Sequence, residues 1–190
     1  MVEYNSENIV LKSKPEHIFN TIGSSFLLYR IYQAIILGLF VFIGWVGATS
    51  VDLEQDILWL VLGLVLGLST IVIHEGIHYM MYLALGFSNV KLQYYKPQKM
   101  IFTIVEDQLI SRWQYVIILI APLFSILAML TLVYCFQYVN TICSLSMTLV
   151  HIWLCRGDVQ LIAYLYGHQK QITHILVNNS EVLFLDNTQN

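Results

Sequence analysis

Hydrophobic positions in this chain gather into four long runs, at roughly 26–49, 57–85, 113–136 and 143–166. About 20 predominantly apolar residues suffice for a helix to cross a bilayer, so each run predicts a transmembrane helix. The second run exceeds that length and is expected to project beyond the hydrocarbon. Pro122 in the third run predicts a kink. Gly63 and Gly67 form a small-xxx-small pair, and Gly44 and Gly47 offer another flat patch, where a neighbouring helix can approach closely.

The polar stretches between the runs are short. Asn8–Ser13 and Lys99–Val105 read as strands. Ile172–Val177, the polar turn Asn178-Asn179-Ser180 and Glu181–Leu185 read as a hairpin. Ser13 to Pro15 can start a short helix leading toward the first run. The predicted fold is an all-α membrane protein, a bundle of four transmembrane helices with a small cytoplasmic β element. Residues 1–190 form a single integral membrane domain, and 167–190 a cytoplasmic tail carrying the hairpin.

Composition supports the membrane assignment. The 190 residues are 57% hydrophobic and only 11% charged, against about 25% charged in soluble domains. Residues 1–25 are polar, so no secretory leader is expected. Every basic residue falls on or near one side of the predicted bundle. Lys12, Lys14 and Arg30 lie at the N-terminal end, Lys91, Lys96, Lys99 and Arg112 in the second connection, and Arg156 and Lys170 late in or after the fourth run. The first connection holds Asp52, Glu54 and Asp56 without a basic residue. The positive-inside rule then places both termini and residues 87–112 in the cytoplasm of a multi-pass protein. No basic stripe suggests a nucleic acid partner. Cys135, Cys143 and Cys155 form no CxxC pair and read as apolar residues in or near the spans.

The chemistry sits inside the second run, in His74-Glu75-Gly76-Ile77-His78. Histidines at i and i+4 share one helical face, the spacing two zinc ligands need, and the glutamate between them is free to act as general base. An ionised group within a span costs about 2.5–3.5 kcal/mol on insertion scales, and a bound metal offsets that cost. Catalytic zinc takes three protein ligands and keeps one position for water. The third must come from another helix at the same depth. Counting residues along the second and fourth runs brings Asp158 to a depth compatible with His74. His151 and Cys155 compete for that role. The rival for Asp158 is an ion pair with Arg156, but residues two apart on a helix face apart. His17, His168 and His174 read as cytoplasmic surface residues.

The His74-Glu75-x-x-His78 pattern late in the second run, Ala121-Pro122 in the third and Gly157-Asp158 in the fourth resemble the bacterial Putative zincin peptidase family of membrane proteins. That family is akin to the site-2 protease group of intramembrane metalloproteases. Site-2 proteases usually present the aspartate just before glycine, often after Asn-Pro; here the order is Gly157-Asp158 after Cys155-Arg156. The resemblance implies a zinc metallopeptidase in the cell membrane that holds one zinc ion through His74, His78 and Asp158 and uses Glu75 as catalytic base. It also implies a membrane protein or peptide as substrate. The alternative expectation is a non-catalytic membrane protein that binds or transports a metal or acts as a regulator.

Overall fold

The computed structural model describes residues 11–13, 27–48, 52–95, 100–105, 108–168, 172–178 and 181–186. Five helices dominate: α1 (Leu27–Ala48), α2 (Leu53–Ala84), α3 (Arg112–Cys135), α4 (Thr141–Leu154) and α5 (Arg156–Gly167). Six strands accompany them: β1 (Leu11–Ser13), β2 (Val90–Tyr95), β3 (Met100–Val105), β4 (Leu109–Ser111), β5 (Ile172–Asn178) and β6 (Glu181–Asp186). The predicted starts of β1 and of the short helix after Ser13, residue His17 and the hairpin tip at Asn179-Ser180 lie outside the described residues.

The first three apolar runs each become one helix. Within α2 the stretch Glu54–Ala84, and α3 over Arg112–Cys135, are long and apolar enough to cross a membrane. The apolar stretches Tyr29–Trp45 and Thr141–Leu154 are shorter. The fourth run is not one helix: it divides into α4 and α5 at Cys155, whose ψ of 1° departs from helical geometry. Backbone bonds still cross the joint, from Cys155 N to His151 O at 3.1 Å and from Val159 N to Cys155 O at 3.1 Å. The apolar run is interrupted there by Arg156, Gly157 and Asp158, and Asp158 enters the first turn of α5. A carboxylate is favoured at that end of a helix by the exposed backbone N–H groups.

The helix ends follow from local chemistry. The Asp52 side chain accepts from Gln55 N at 3.2 Å and caps α2. Ser111 and Gln114 form a capping box at the start of α3. α2 buries a stripe of Gly63, Gly67, Thr70, His74, His78 and Tyr82, spaced by three or four residues as one helical face requires. Its outward face carries Leu58, Val61, Val65, Leu68 and Val72, all exposed. α4 packs along the buried stripe. A Cβ on Gly63 would stand 2.6 Å from the Cys143 carbonyl oxygen, and one on Gly67 2.7 Å from Val150 Cβ. The expected patch at Gly44 meets nothing within 4 Å.

The β content exceeds the sequence expectation. A four-stranded antiparallel sheet has the order β1-β6-β5-β4, and β2 and β3 form a separate hairpin. β2 and β4 lie in the connection read as loop outside Lys99–Val105. Val105, Ile110, Tyr115, Ile118, Leu165 and Ile175 are buried together and bind the sheets to the ends of α2, α3 and α5. Because β2 follows α2, β4 precedes α3 and β5 follows α5, both sheets lie at one end of the helices.

Candidate metal centre

His74 and His78 lie on the buried stripe of α2, ten and six residues before its end at Ala84. That is about 9–15 Å from the sheet-side end of the helix. Both imidazoles are buried. Their Nε2 atoms stand 3.1 Å apart. From α5, Asp158 Oδ2 comes within 3.1 Å of His74 Nε2 and 3.4 Å of His78 Nε2. The three sequence candidates on two helices therefore meet at one point.

The tautomer of His78 is fixed by its surroundings. Its Nδ1 lies 3.0 Å from the carbonyl oxygen of Ile118 on α3. A carbonyl only accepts, so Nδ1 carries the hydrogen and Nε2 presents a lone pair. The Oδ2 atom of Asp158 is buried and makes no hydrogen bond, despite its closeness to both rings. With both imidazoles neutral and the carboxylate ionised, the forms that bind a metal, at most one of the three facing atoms carries a hydrogen, on His74 Nε2. The others turn electron pairs toward one another, which is unfavourable without a cation between them. Ligand atoms about 2.0–2.1 Å from a tetrahedral zinc stand about 3.3–3.4 Å from one another, close to the observed spacing. The donor set fits zinc.

Glu75 stands outside this cluster. One position along from His74, it is turned about 100° around the helix. Its Oε2 accepts from the backbone N–H of Thr103 on β3 at 2.8 Å. The Thr103 hydroxyl lies 3.0 Å from both Oε2 and the Glu75 carbonyl oxygen, with one proton to share between them. No sequence signal singled out Thr103.

A second group of donors adjoins the first. Cys155 Sγ is 3.7 Å from His74 Nδ1 and 3.5 Å from His151 Nε2. His151 is fully buried, with its ring edge-on to His74 at 6.1 Å. His74, His151 and Cys155 thus form another possible metal-binding trio that shares His74 with the first. Arg156 does not pair with Asp158; its guanidinium lies 5.8 Å from the ring centre of Tyr29. His168 caps α5 through Tyr164 O, and His174 meets Thr173 on the sheet, both apart from the cluster.

A family model described as Putative zincin peptidase matches residues 67–173. The chain belongs to that family. The matched stretch runs from Gly67 on α2 into β5 and contains the whole His74–His78–Asp158 cluster, Thr103 and the Ile118 carbonyl. Membership of the zincin peptidase family implies a zinc metallopeptidase, with zinc as its metal. No curated protein and no solved structure matches the chain.

Proposed function

We propose that the chain is a zinc-dependent peptidase embedded in a cell membrane, with one zinc held by His74, His78 and Asp158 and with Glu75 as general base. The observation that carries this reading is the convergence of two imidazole Nε2 atoms and one carboxylate oxygen within 3.4 Å. Zinc bound there supplies a Lewis acid for the scissile carbonyl and lowers the pKa of the attacking water toward about 7. Glu75 takes the proton of that water and returns it to the leaving amine. Thr103 holds Oε2, which leaves Oε1 to carry the proton.

The same contact supports a mode of substrate entry. Because the Thr103 N–H is aimed at Glu75, it does not serve the ladder with β2. Antiparallel pairs alternate, so Ile101, Thr103 and Val105 turn their backbone groups to the edge away from β2. An extended segment of a membrane protein or peptide pairs with the Ile101 and Val105 positions of that edge, on either side of the Thr103 N–H that Glu75 occupies, and so lays its backbone beside Glu75. Helical substrate must unwind locally to do so.

In this reading α1, α2, α3 and the α4–α5 pair all cross the bilayer, as one integral membrane domain. Support comes from the four apolar runs and the exposed apolar faces of α1 and α2, with Leu37, Phe40, Val41 and Trp45 outward on α1. The distribution of basic residues supports a cytoplasmic position for both termini and both sheets, with the site toward that side.

A second reading is favoured by one observation. The run of donors from His151 through Cys155 and His74 to Asp158 resembles a relay for a metal in transit, without hydrolysis. One experiment separates the two. The full chain is reconstituted in lipid with zinc and offered membrane-anchored peptides, alongside Glu75→Gln. A peptidase loses turnover in that variant, keeps its zinc and traps uncleaved substrate. Zinc movement across the vesicle that is unchanged by the variant, with no cleavage by either protein, sinks the peptidase reading.

A further inference from the structure

Pro122 lies in the middle of α3 and is buried. A residue inside an α-helix donates its N–H to the carbonyl four residues earlier, and proline has no N–H to give. The carbonyl four residues before Pro122 belongs to Ile118. That oxygen is not left without a partner: it is the atom 3.0 Å from His78 Nδ1. Proline at 122 therefore acts twice on one acceptor. It withholds the competing intrahelical donor, and its ring presses on the carbonyl four residues back and disfavours the ordinary helical geometry there.

We propose that Pro122 is a positioning residue for the metal centre: it dedicates the Ile118 carbonyl to His78 and so fixes the ring with Nε2 facing His74 and Asp158. The inference rests on the reading of His78 as a zinc ligand. A histidine ligand commonly donates its second ring N–H to an outer partner that sets its tautomer and rotation, and loss of that partner typically costs about 10–100-fold in metal affinity. Here the partner is a main-chain carbonyl, which no side-chain substitution can delete. The sequence controls it through the residue four positions later. With any other amino acid at 122, a helical N–H competes for the same oxygen and draws the carbonyl back toward the helix axis, which weakens its hold on His78 and lets the ring rotate or move its hydrogen to Nε2, where it blocks a ligand position.

The test separates the missing N–H from the steric effect of the proline ring. Three full-length proteins are compared in lipid: wild type, Pro122→Ala, and a protein with L-lactic acid in place of Pro122, which has neither ring nor N–H. Ring-nitrogen chemical shifts of labelled histidine, read without metal and assigned by the signal lost in His78→Gln, report the tautomer. Zinc affinity is measured by competition with a chelator. We expect His78 to hold the Nδ1–H form in wild type and in the ester protein, and to lose it in Pro122→Ala. Zinc binding should weaken about 10-fold or more in Pro122→Ala and stay near wild type in the ester protein. Should Pro122→Ala not fold, the ester protein still decides, because the Nδ1–H form with near-wild-type zinc affinity supports the proposal and loss of both overturns it. An Nε2–H tautomer in wild type, or equal weakening in the alanine and ester proteins, also overturns it. If the tautomers behave as expected but wild type takes up no zinc, the link from Pro122 to His78 stands and the metal reading falls.

Discussion

The backbone N–H of Thr103 donates to Oε2 of Glu75 across 2.8 Å, so a strand outside the helices holds the one carboxylate of α2 that adjoins the metal cluster. A hydrogen bond to a charged group contributes about 1.5–3 kcal/mol. That N–H, with the hydroxyl proton shared between Oε2 and the Glu75 carbonyl oxygen, gives Glu75 a fixed bearing that its own flexible side chain does not supply.

Removing the Thr103 hydroxyl should therefore slow the reaction and spare the metal. Thr103→Val keeps the N–H and loses the hydroxyl; we expect kcat to fall about 10-fold, for a loss of the order of 1.4 kcal/mol, with zinc content unchanged. Thr103→Pro deletes the N–H as well. Because that N–H faces α2 and not β2, proline does not break the hairpin ladder, and the further loss reports on Glu75. Metal analysis beside peptide cleavage checks both. Full activity in Thr103→Pro would show that Glu75 needs no such anchor.

The close approach of α4 to α2 makes a second prediction. Gly63→Ala and Gly44→Ala gain similar intrinsic helix preference, about 1 kcal/mol or less. They differ in what the new methyl meets: the Cys143 carbonyl oxygen at 2.6 Å for Gly63, and nothing within 4 Å for Gly44. Backbone cannot rotate aside as a side chain does, so Gly63→Ala should destabilise by about 1–3 kcal/mol through overpacking. Gly44→Ala should be neutral or slightly stabilising. Unfolding in mild detergent compares them, and equal stability of the two variants would refute the close contact.

Most of the helical layout was legible because it depends on length and apolarity alone. Three apolar runs became single helices with ends moved by one to four residues. The His74–His78 spacing was readable because a helix has one period, and Asp158 was reachable by counting depth along two helices. The break at Cys155 was not, since its backbone bonds continue through the joint and no proline marks it. β2 was overlooked although Val90-Lys91-Leu92-Gln93-Tyr94 alternates apolar and polar as a strand does, and β4, at three residues, is too short to show a period. Thr103 and the Ile118 carbonyl were out of reach for a deeper reason. Each acts on a residue 28 or 40 positions away, and nothing local to a threonine or an isoleucine reports such a partner. The proline at 122 was visible in the sequence, but its effect on His78 required the packing of α3 against α2.

Asp158 is expected to supply the charge that the two neutral imidazoles lack. Asp158→Asn keeps the shape and removes the anion; we expect zinc affinity to fall by at least about 100-fold. Arg156→Gln, two residues away with its guanidinium over Tyr29, should leave zinc affinity unchanged. Chelator competition on the reconstituted proteins provides the measurement. If Asp158→Asn holds zinc as tightly as wild type, the third ligand lies elsewhere, with Cys155 and His151 as the next to substitute.

Metal removal should loosen the attachment of α5 to α2. His74 and His78 belong to one helix and Asp158 to the other, so a shared zinc is a cross-link between elements distant in the chain. A ligand that binds only the folded state stabilises it by about 4 kcal/mol when present at a thousand times its Kd. Chelation of the wild-type protein should lower its thermal midpoint by several degrees. Glu75→Gln should show the same drop, because Glu75 stands outside the cluster and its loss leaves all three ligand atoms in place. His78→Ala should start lower and respond little, having lost the link already. A thermal scan of the three proteins with and without chelator distinguishes these outcomes. A wild-type midpoint that does not move with metal would mean that the three side chains meet without being tied by an ion.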